Sequence, residues 1–407
     1  MATTGRKIKL YRMQWLVDLD RAVKDGTLTA DGARELKQRA RETMVSYAIN
    51  LALFAGIVMV IGGTVTWLED NIARSAIGVA LTTAGAITLL RGGARLQIVA
   101  NATAIIGATL AIVSLAGLLF EGRTERLVIG AALGLPTAAL GWMIFRFGPK
   151  SLSLLGGWIL LLGAGTHVAG VLTTESKLGL EWLALHYAGA IAIACGLILD
   201  VRFVTAIAMV PLAASLSSRT FYSHAAYGVA IYEVTLTILQ MGLFAVLAFA
   251  ASLQFSERIA RHARTLGQLA LIWTNMAFWI GSLWGDVVGL FLWGPRWNVV
   301  TSDTEKIMSK YEAWKAAVDA FKAQTLTIPA DVFAAAWAVG IISVGAWGAL
   351  TARRAVLNIA VTFGAIHFYT QYFERLQATP GVIIIAGVIA ILASWALWTF
   401  NGHLARR

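Results

Sequence analysis

The chain has 407 residues, of which 58% are hydrophobic and 14% are charged, and its formal net charge is +11. Soluble globular domains are about 45–50% apolar and about 25% charged, so this composition excludes an ordinary soluble protein and is typical of a polytopic membrane protein. The basic balance does not predict nucleic-acid binding, because much of the Lys and Arg lies at the N-terminus and in alternate short loops, where positive charge sets membrane orientation.

Residues 1–45 predict a cytoplasmic helical hairpin in front of the first membrane span. A turn at Asp25-Gly26 separates two amphipathic segments, and Thr29 is placed to cap the second of them. Basic and acidic residues are mixed along both segments, which is typical of a module lying near lipid headgroups. The hairpin is either a docking or sensing module for a partner or a topology anchor.

Apolar runs of spanning length fill most of the remaining chain, and the predicted fold class is therefore all-α, a polytopic integral membrane bundle of about twelve helices. The seventh run is the weakest, since it is short and carries Pro211, so it either crosses the bilayer or is half-inserted among its neighbours. The predicted spans are 46–68, 72–90, 97–120, 127–146, 151–172, 183–200, 203–217, 229–254, 265–293, 331–351, 355–373 and 380–401.

Charges in the connecting loops predict the orientation of the chain. Loops on one side are basic and those on the other are neutral or acidic, as the positive-inside rule requires for an even number of spans. This pattern places both termini in the cytoplasm of a bacterial inner membrane and implies that 203–217 crosses. The basic loops contain Arg91, Arg146, Arg202, Arg258, Arg353 and Arg406, and the opposite loops contain Glu69, Asp70, Glu121, Glu175 and Glu374.

The loop at 294–330 separates the nine spans of 46–293 from the three spans and short tail of 331–407. It is long, and one face of a predicted amphipathic helix on the outer side carries Ile307, Tyr311, Trp314, Val318 and Phe321. This helix is either a lid over a cavity or a brace lying in the interface.

Polar residues inside predicted spans are the best indicators of function, because they must face protein or water. His367, Thr370, Gln371 and Glu374 are three, four and seven residues apart and form one stripe on a late helix.

A second stripe joins Asn275, Trp279, Ser282 and Asp286, and Glu233 lies near the outer end of the preceding span. The sharp hypothesis is a polar path or ion site that joins these residues to the His367 stripe. The plain alternatives are an interfacial aspartate reached by water and a packed histidine.

Enzymatic and metal chemistry find little support in the residue pattern. The six histidines form no HxxxH or HExxH pair, and no GxSxG motif is present, so we predict no catalytic residue, metal or other cofactor. Cys195 is the only cysteine, which excludes an intrachain disulfide.

Three functions are compatible with these patterns. The first is a transporter or permease that moves a small solute or ion along the polar path. The second is a non-catalytic accessory or scaffold subunit, which binds a protein partner through the N-terminal hairpin or the outer helix. The third is a membrane-embedded enzyme acting on lipid substrates. Membrane lipids are expected partners in each case.

The two ends of the chain resemble a bacterial family of membrane proteins known as domain of unknown function 2157. In that family an Arg commonly stands where this chain has Gln371. The resemblance implies a multi-pass membrane architecture and carries no substrate. It rests on Leu19, Val23, Gly26, Leu28, Thr29, Ala33, Leu36, Gly56, Ile61, Gly62, Gly63 and Trp67, and on Arg354, Leu357, Asn358, Thr370, Gln371, Tyr372, Phe373 and Glu374.

Overall fold

The computed structural model of the chain describes residues 28–92, 96–121, 125–175, 181–216, 218–223, 226–296 and 307–375, with isolated positions outside these ranges. It is helical almost throughout, which confirms the predicted helical class. The chain divides into two compact units, Met1–Ser215 and Leu216–Arg407. The first helix of the predicted N-terminal hairpin and the predicted span at 380–401 lie outside the described residues.

The first unit is built from helices joined by short connections. Thr29 caps the first helix as predicted, since its hydroxyl accepts a hydrogen bond from Gly32 N at 3.1 Å. That helix runs without a break through the predicted boundary at residue 45. The described helices are α1 (Ala30–Trp67), α2 (Asn71–Arg91), α3 (Gln97–Phe120), α4 (Arg126–Phe147), α5 (Ser153–Glu175, after a 3-10 turn Lys150–Leu152), α6 (Glu181–Leu199), α7 (Arg202–Ile207) and α8 (Met209–Ala214).

Glycine allows the helices of this unit to approach closely. A Cβ atom added at Gly107 of α3 would lie 2.3 Å from Thr82 N in α2, and one added at Gly141 of α4 would lie 2.2 Å from Leu160 N in α5. Without an apolar driving force between helices in lipid, such close backbone contact is a main source of helix association. The α2–α3 and α4–α5 pairs therefore depend on having no side chain at these positions.

The predicted seventh span consists of the two short helices α7 and α8. Gly196 of α6 lies against Thr205 of α7, and Gly189 lies against Leu212 of α8, so the pair runs antiparallel to α6. At 1.5 Å per residue, the level of Gly189 is about 10 Å from that of Gly196. The chain therefore reverses direction after α6 and runs back along it as the two short helices α7 and α8.

The second unit combines helices with two short pairs of antiparallel strands. One pair forms a hairpin in which Ser218 faces Ile231, and the other places Asp286 opposite Ile328. Its described elements are β1 (Ser218–Ser223), β2 (Ala226–Ile231), α9 (Val234–Gln254), α10 (Glu257–Trp284), β3 (Asp286–Val287), α11 (Ile307–Gln324), β4 (Thr327–Ile328), α12 (Ala330–Leu350), α13 (Arg354–Tyr369) and a π-helical turn at Thr370–Arg375.

Helix α10 lies at the centre of the second unit, where it packs against α9, α12 and α13. Ala277 of α10 forms an apolar cluster with Val234 of α9 and Phe333 of α12. At the other end of α9, Arg353 lies over the ring of Trp347 at 4.8 Å and over Phe249 at 5.4 Å. This arrangement brings the polar stripe of α10 beside the late helices.

Helix α11 is the predicted amphipathic helix, and its predicted apolar face is buried only in part. Val318 is buried, but Tyr311 of the same face is exposed, as is Lys315 on the polar face. The strand pair β3–β4 joins the end of this helix to the segment after α10, and Val288 N donates to Leu326 O at 3.1 Å. These contacts attach the segment after α11 to the segment after α10.

Seven of the described helices are long and apolar enough to cross a membrane. Four further predicted spans differ from these: the apolar part of α1 is Ala52–Trp67, α7 and α8 are short, α10 is amphipathic and ends at Trp284, and α13 has 16 residues. The seven are compatible with a membrane location, and the total of about twelve spans stays a prediction. The seven are Asn71–Arg91, Gln97–Phe120, Arg126–Phe147, Lys150–Thr173, Glu181–Leu199, Val234–Gln254 and Ala330–Leu350.

Candidate functional site

Glu233 stands immediately before α9 and is completely buried. Its Oε2 accepts a hydrogen bond from Gly289 N at 2.7 Å, and its Oε1 accepts from Phe291 N at 2.6 Å and Leu292 N at 3.2 Å. Backbone N–H groups that converge in this way stabilise the ionised carboxylate. The side chain therefore holds the segment that follows α10.

Asp286 makes the reciprocal contact. It lies in the segment after α10, and its Oδ2 accepts a hydrogen bond from Thr235 N, in the first turn of α9, at 2.8 Å. A carboxylate at this position satisfies an N–H that the helix itself leaves unbonded and interacts favourably with the helix dipole. We call the arrangement of Glu233, Asp286, Thr235 and the backbone of 289–292 the carboxylate clamp.

Glycine shapes the loop of the clamp. Gly285 has φ +73° and ends α10, and Gly289 has φ +83° and donates to Glu233. Both values lie in the left-handed region, which glycine adopts at little cost. A Cβ at Gly285 would also lie 2.7 Å from Ile328 O, so the strand pair closes tightly over this position.

The electrostatics of the clamp are dominated by burial. Glu233 precedes the apolar helix Val234–Gln254, and burial raises the pKa of its carboxyl above the usual range. The three backbone N–H groups lower that pKa, and the charge of Asp286 raises it. The N–H groups thus offset part of the cost of burying the charge.

Asn275 and Trp279 of α10 belong to a separate group of contacts with the late helices. Asn275 accepts a hydrogen bond from Trp337 Nε1 of α12 at 2.9 Å, and it donates to Leu271 O at 2.8 Å. Trp279 Nε1 donates to the hydroxyl of Thr370 at 2.9 Å. The Trp337 ring also meets the His367 ring edge-on, with centroids 4.8 Å apart. We call these five side chains, Asn275, Trp279, Trp337, His367 and Thr370, the indole cluster.

The remaining predicted residues lie on the margins of these groups. Ser282 is buried, and its hydroxyl donates to Trp279 O at 2.7 Å, within its own helix. Gln371 is partly buried, and the side chain of Glu374 lies outside the described part of the structure. The predicted polar path is thus divided between the clamp and the indole cluster.

Two buried polar atoms of the late stripe make no hydrogen bond within the described residues. They are Nδ1 of His367 and Nε2 of Gln371. An unbonded buried polar group costs free energy, so these atoms are candidates to bind water or a polar solute. The described residues hold no group of three or more His, Cys, Asp or Glu side chains arranged to bind a metal.

Several residues of the site were not identified from the sequence. Thr235 and Phe291 contribute only backbone N–H groups, which any residue except proline provides, so their type carries no signal. Trp337 is fully buried in an apolar helix, where tryptophan is ordinary. The spacing of Gly285 and Gly289 around an acidic residue was the one available indication of a loop that binds a carboxylate.

Comparison of the chain with protein-family models, with curated proteins and with solved structures gives no match. The functional assignment therefore rests on the geometry of this chain.

Proposed function

We propose that this chain is a multi-pass protein of a bacterial inner membrane that works as a non-transporting accessory or scaffold subunit of a larger membrane complex. The observation that carries the proposal is the carboxylate clamp. Glu233 and Asp286 were the residues expected to bind an ion, and both are engaged by backbone N–H groups at 2.6–3.2 Å. A carboxylate that holds two segments of chain together is poorly placed to bind and release a cation.

The indole cluster supports the same proposal. Asn275 and Thr370 each accept a hydrogen bond from a tryptophan of a neighbouring helix. Tryptophan is a large apolar side chain with a single N–H donor, so it satisfies one polar atom while excluding water around it. Polar residues paired in this way stabilise a helical bundle. Their hydrogen-bonded atoms do not need water, so they do not require a hydrated path.

A second candidate function, transport of a small polar solute, is favoured by one observation. Nδ1 of His367 and Nε2 of Gln371 are buried and make no hydrogen bond within the described residues. A pathway through the late helices would use these two atoms rather than the carboxylates first considered. The alternative to a transported solute is bound water, which would satisfy both polar atoms without any transport.

Isolation of the intact complex distinguishes the two candidates. The full chain is purified from native membranes in mild detergent, and proteins that co-purify are identified and quantified. We expect a protein partner in stoichiometric amount. A chain that purifies alone and that, in proteoliposomes, mediates solute uptake lost on His367→Ala substitution would contradict the accessory role and support transport.

Location and family belong to the same proposal. The alternation of basic and acidic loops supports an inner-membrane protein with cytoplasmic termini. The matching residues at the two chain ends support membership of the family known as domain of unknown function 2157. Binding of the partner through the N-terminal hairpin or through α11 is the expected mode, and α11 exposes Tyr311 and Glu312 for such a contact.

A further inference from the structure

Residues 284–293 form an apolar segment at the end of α10, and we call this segment the aromatic loop. Its one charged side chain is Asp286, which is buried. Its large aromatic side chains, in contrast, are exposed, by 76% for Trp284, 45% for Phe291 and 60% for Trp293. The loop therefore buries its charge and exposes its aromatic rings.

The backbone N–H groups of this region donate their hydrogen bonds within the protein. Every N–H group from Val288 to Gly294 has a protein acceptor, although this stretch is not an α-helix. Glu233 accepts three of these hydrogen bonds, and backbone carbonyl groups accept the other four at 3.0–3.1 Å. Solvent can bind the N–H groups of a loop in water, whereas a loop that meets lipid must satisfy them within the protein.

The aromatic loop lies at the start of two helices that are long and apolar enough to cross a membrane. Helix α9 begins directly after Glu233, and α12 begins shortly after β4, which pairs with Asp286 and Val287 of the loop. Each helix exposes aliphatic side chains at intervals of three, four or seven residues, which places them on one face. They include Leu239, Leu243 and Val246 on α9 and Val332, Val339 and Ile342 on α12.

The exposed rings of the loop continue onto Tyr232, directly before the clamp. Tyr232 is 51% exposed and stacks on Phe291, with ring centroids 5.0 Å apart and an angle of 9° between the rings. Trp and Tyr combine a large apolar ring with one polar group, so both are enriched at the boundary between headgroups and acyl chains. An exposed apolar surface marks a protein or membrane contact, and its position at the ends of two aliphatic helix faces favours the membrane.

We propose that the aromatic loop lies in the interface of the lipid bilayer, with the rings of Trp284, Phe291 and Trp293 about 5–10 Å into the boundary between headgroups and acyl chains. Glu233 allows the loop to lie there, because its carboxylate accepts N–H groups that water would otherwise bind. The inference rests on the membrane location proposed above and does not depend on the accessory role.

Fluorescence quenching in reconstituted vesicles tests the proposal. In a Cys195→Ser background of the full chain, Trp293→Cys is labelled with a nitrobenzoxadiazole fluorophore and placed in phosphatidylcholine–phosphatidylglycerol vesicles. Quenching is measured with lipids brominated near the headgroup or near the chain end, and with iodide present on both sides of the vesicles. Two labelled references are Leu243→Cys, exposed near the middle of α9, and Gln38→Cys, exposed on α1 before its apolar part.

We expect the label at position 293 to lose more fluorescence to bromine near the headgroup than to bromine near the chain end. It should lose less to iodide than the label at position 38. The label at position 243 should show the opposite order of the two brominated lipids. Trp284→Cys, which replaces the most exposed ring of the loop, should behave as Trp293→Cys does, and the thermal unfolding temperature of each labelled protein checks its folding.

The role of Glu233 is tested in the same labelled protein. Glu233→Gln should increase quenching of the label at position 293 by iodide and reduce quenching by bromine, because the amide turns an NH₂ donor towards the loop. Glu312→Gln, on the exposed face of α11, is the control and should leave both unchanged.

Three results would overturn the proposal. Iodide quenching at position 293 as strong as at position 38 would place the loop in water, and protection from both bromine and iodide would assign the loop to a contact with a second copy of the chain. An unchanged response in Glu233→Gln would contradict the role of its carboxylate. A label at position 243 that no brominated lipid quenches would instead contradict the membrane location, and with it the proposed function.

Discussion

At the scale of single residues, the structure separates ionisable groups that hold the chain together from polar groups that remain available. Glu233 accepts three backbone hydrogen bonds and is fully buried, while Nδ1 of His367 makes none within the described residues. Both residues lie in or beside apolar segments, so the local sequence does not distinguish their roles. Their hydrogen-bond partners distinguish the two roles. A carboxylate whose oxygens accept hydrogen bonds stabilises the fold, whereas a buried ring nitrogen without a hydrogen bond is a candidate to bind a ligand.

Glu233→Gln is expected to lower the free energy of unfolding by about 1–3 kcal/mol. The amide keeps one acceptor oxygen, but it turns an NH₂ donor towards one of the N–H groups of Gly289 or Phe291. Thermal unfolding of the purified protein in detergent measures the change. Glu312→Gln, the same substitution on the exposed face of α11, is the matched control and should alter the unfolding temperature little. Equal effects of the two substitutions would exclude a stabilising clamp.

At the scale of elements, glycine positions determine which helices pair. Gly163 and Gly165 lie two residues apart on α5, yet only one of them faces a neighbour. A Cβ at Gly163 would lie 2.2 Å from Ala138 N and 2.7 Å from Gly134 O of α4, whereas a Cβ at Gly165 would meet no atom within 4 Å among the described residues. The difference follows from the helical period, which places residues i and i+2 on different faces.

Gly163→Ala is therefore expected to destabilise the protein by about 1–3 kcal/mol, because the added methyl group forces α4 and α5 apart. Gly165→Ala adds the same methyl group to open space, and it should be neutral or slightly stabilising because alanine favours the helix. Thermal unfolding of both variants in the same detergent gives the comparison. If Gly165→Ala proves as damaging as Gly163→Ala, close α4–α5 contact does not limit stability.

At the scale of the whole molecule, the orientation in the membrane depends on whether 203–217 completes a crossing. Together α7 and α8 extend about 20 Å at 1.5 Å per residue, less than the roughly 30 Å of a hydrocarbon core. The basic residues nevertheless favour a crossing. Arg202 precedes 203–217 and Arg258 follows the next predicted span, so both lie on the inner side only if 203–217 crosses the membrane. The charge pattern and the helix lengths thus point in opposite directions here.

Cysteine labelling resolves this point. In a Cys195→Ser background, single substitutions Gln38→Cys, Glu121→Cys and Gln254→Cys are treated in intact cells with a membrane-impermeant maleimide. We expect labelling at position 121 alone, because the positive-inside rule places positions 38 and 254 in the cytoplasm. Labelling of Gln254→Cys from outside would show that α7 and α8 do not complete a crossing. Permeabilised cells, in which all three sites should react, provide the control.

The sequence by itself predicted the helical class, the apolar helices of spanning length and most helix bounds. Gln97–Phe120 begins and ends where it was predicted, because a long apolar run bounded by polar loops has few other solutions in lipid. The sequence did not reveal that Ala226–Ile231 forms a strand, since a short apolar run fits either a helix or a strand. It also placed Glu233 and Asp286 inside helices, whereas both lie just beyond helix ends.

Only the tertiary structure decided what the polar residues do. The bonds that occupy Glu233 come from residues 289–292, more than fifty positions along the chain, and the bond to Asn275 comes from Trp337. Helical spacing put Asn275 and Trp279 in one stripe, and the structure shows that both side chains contact the late helices. No local pattern, however, encodes which distant N–H groups will reach a carboxylate, because those donors belong to the backbone and are common to every sequence that folds in this way.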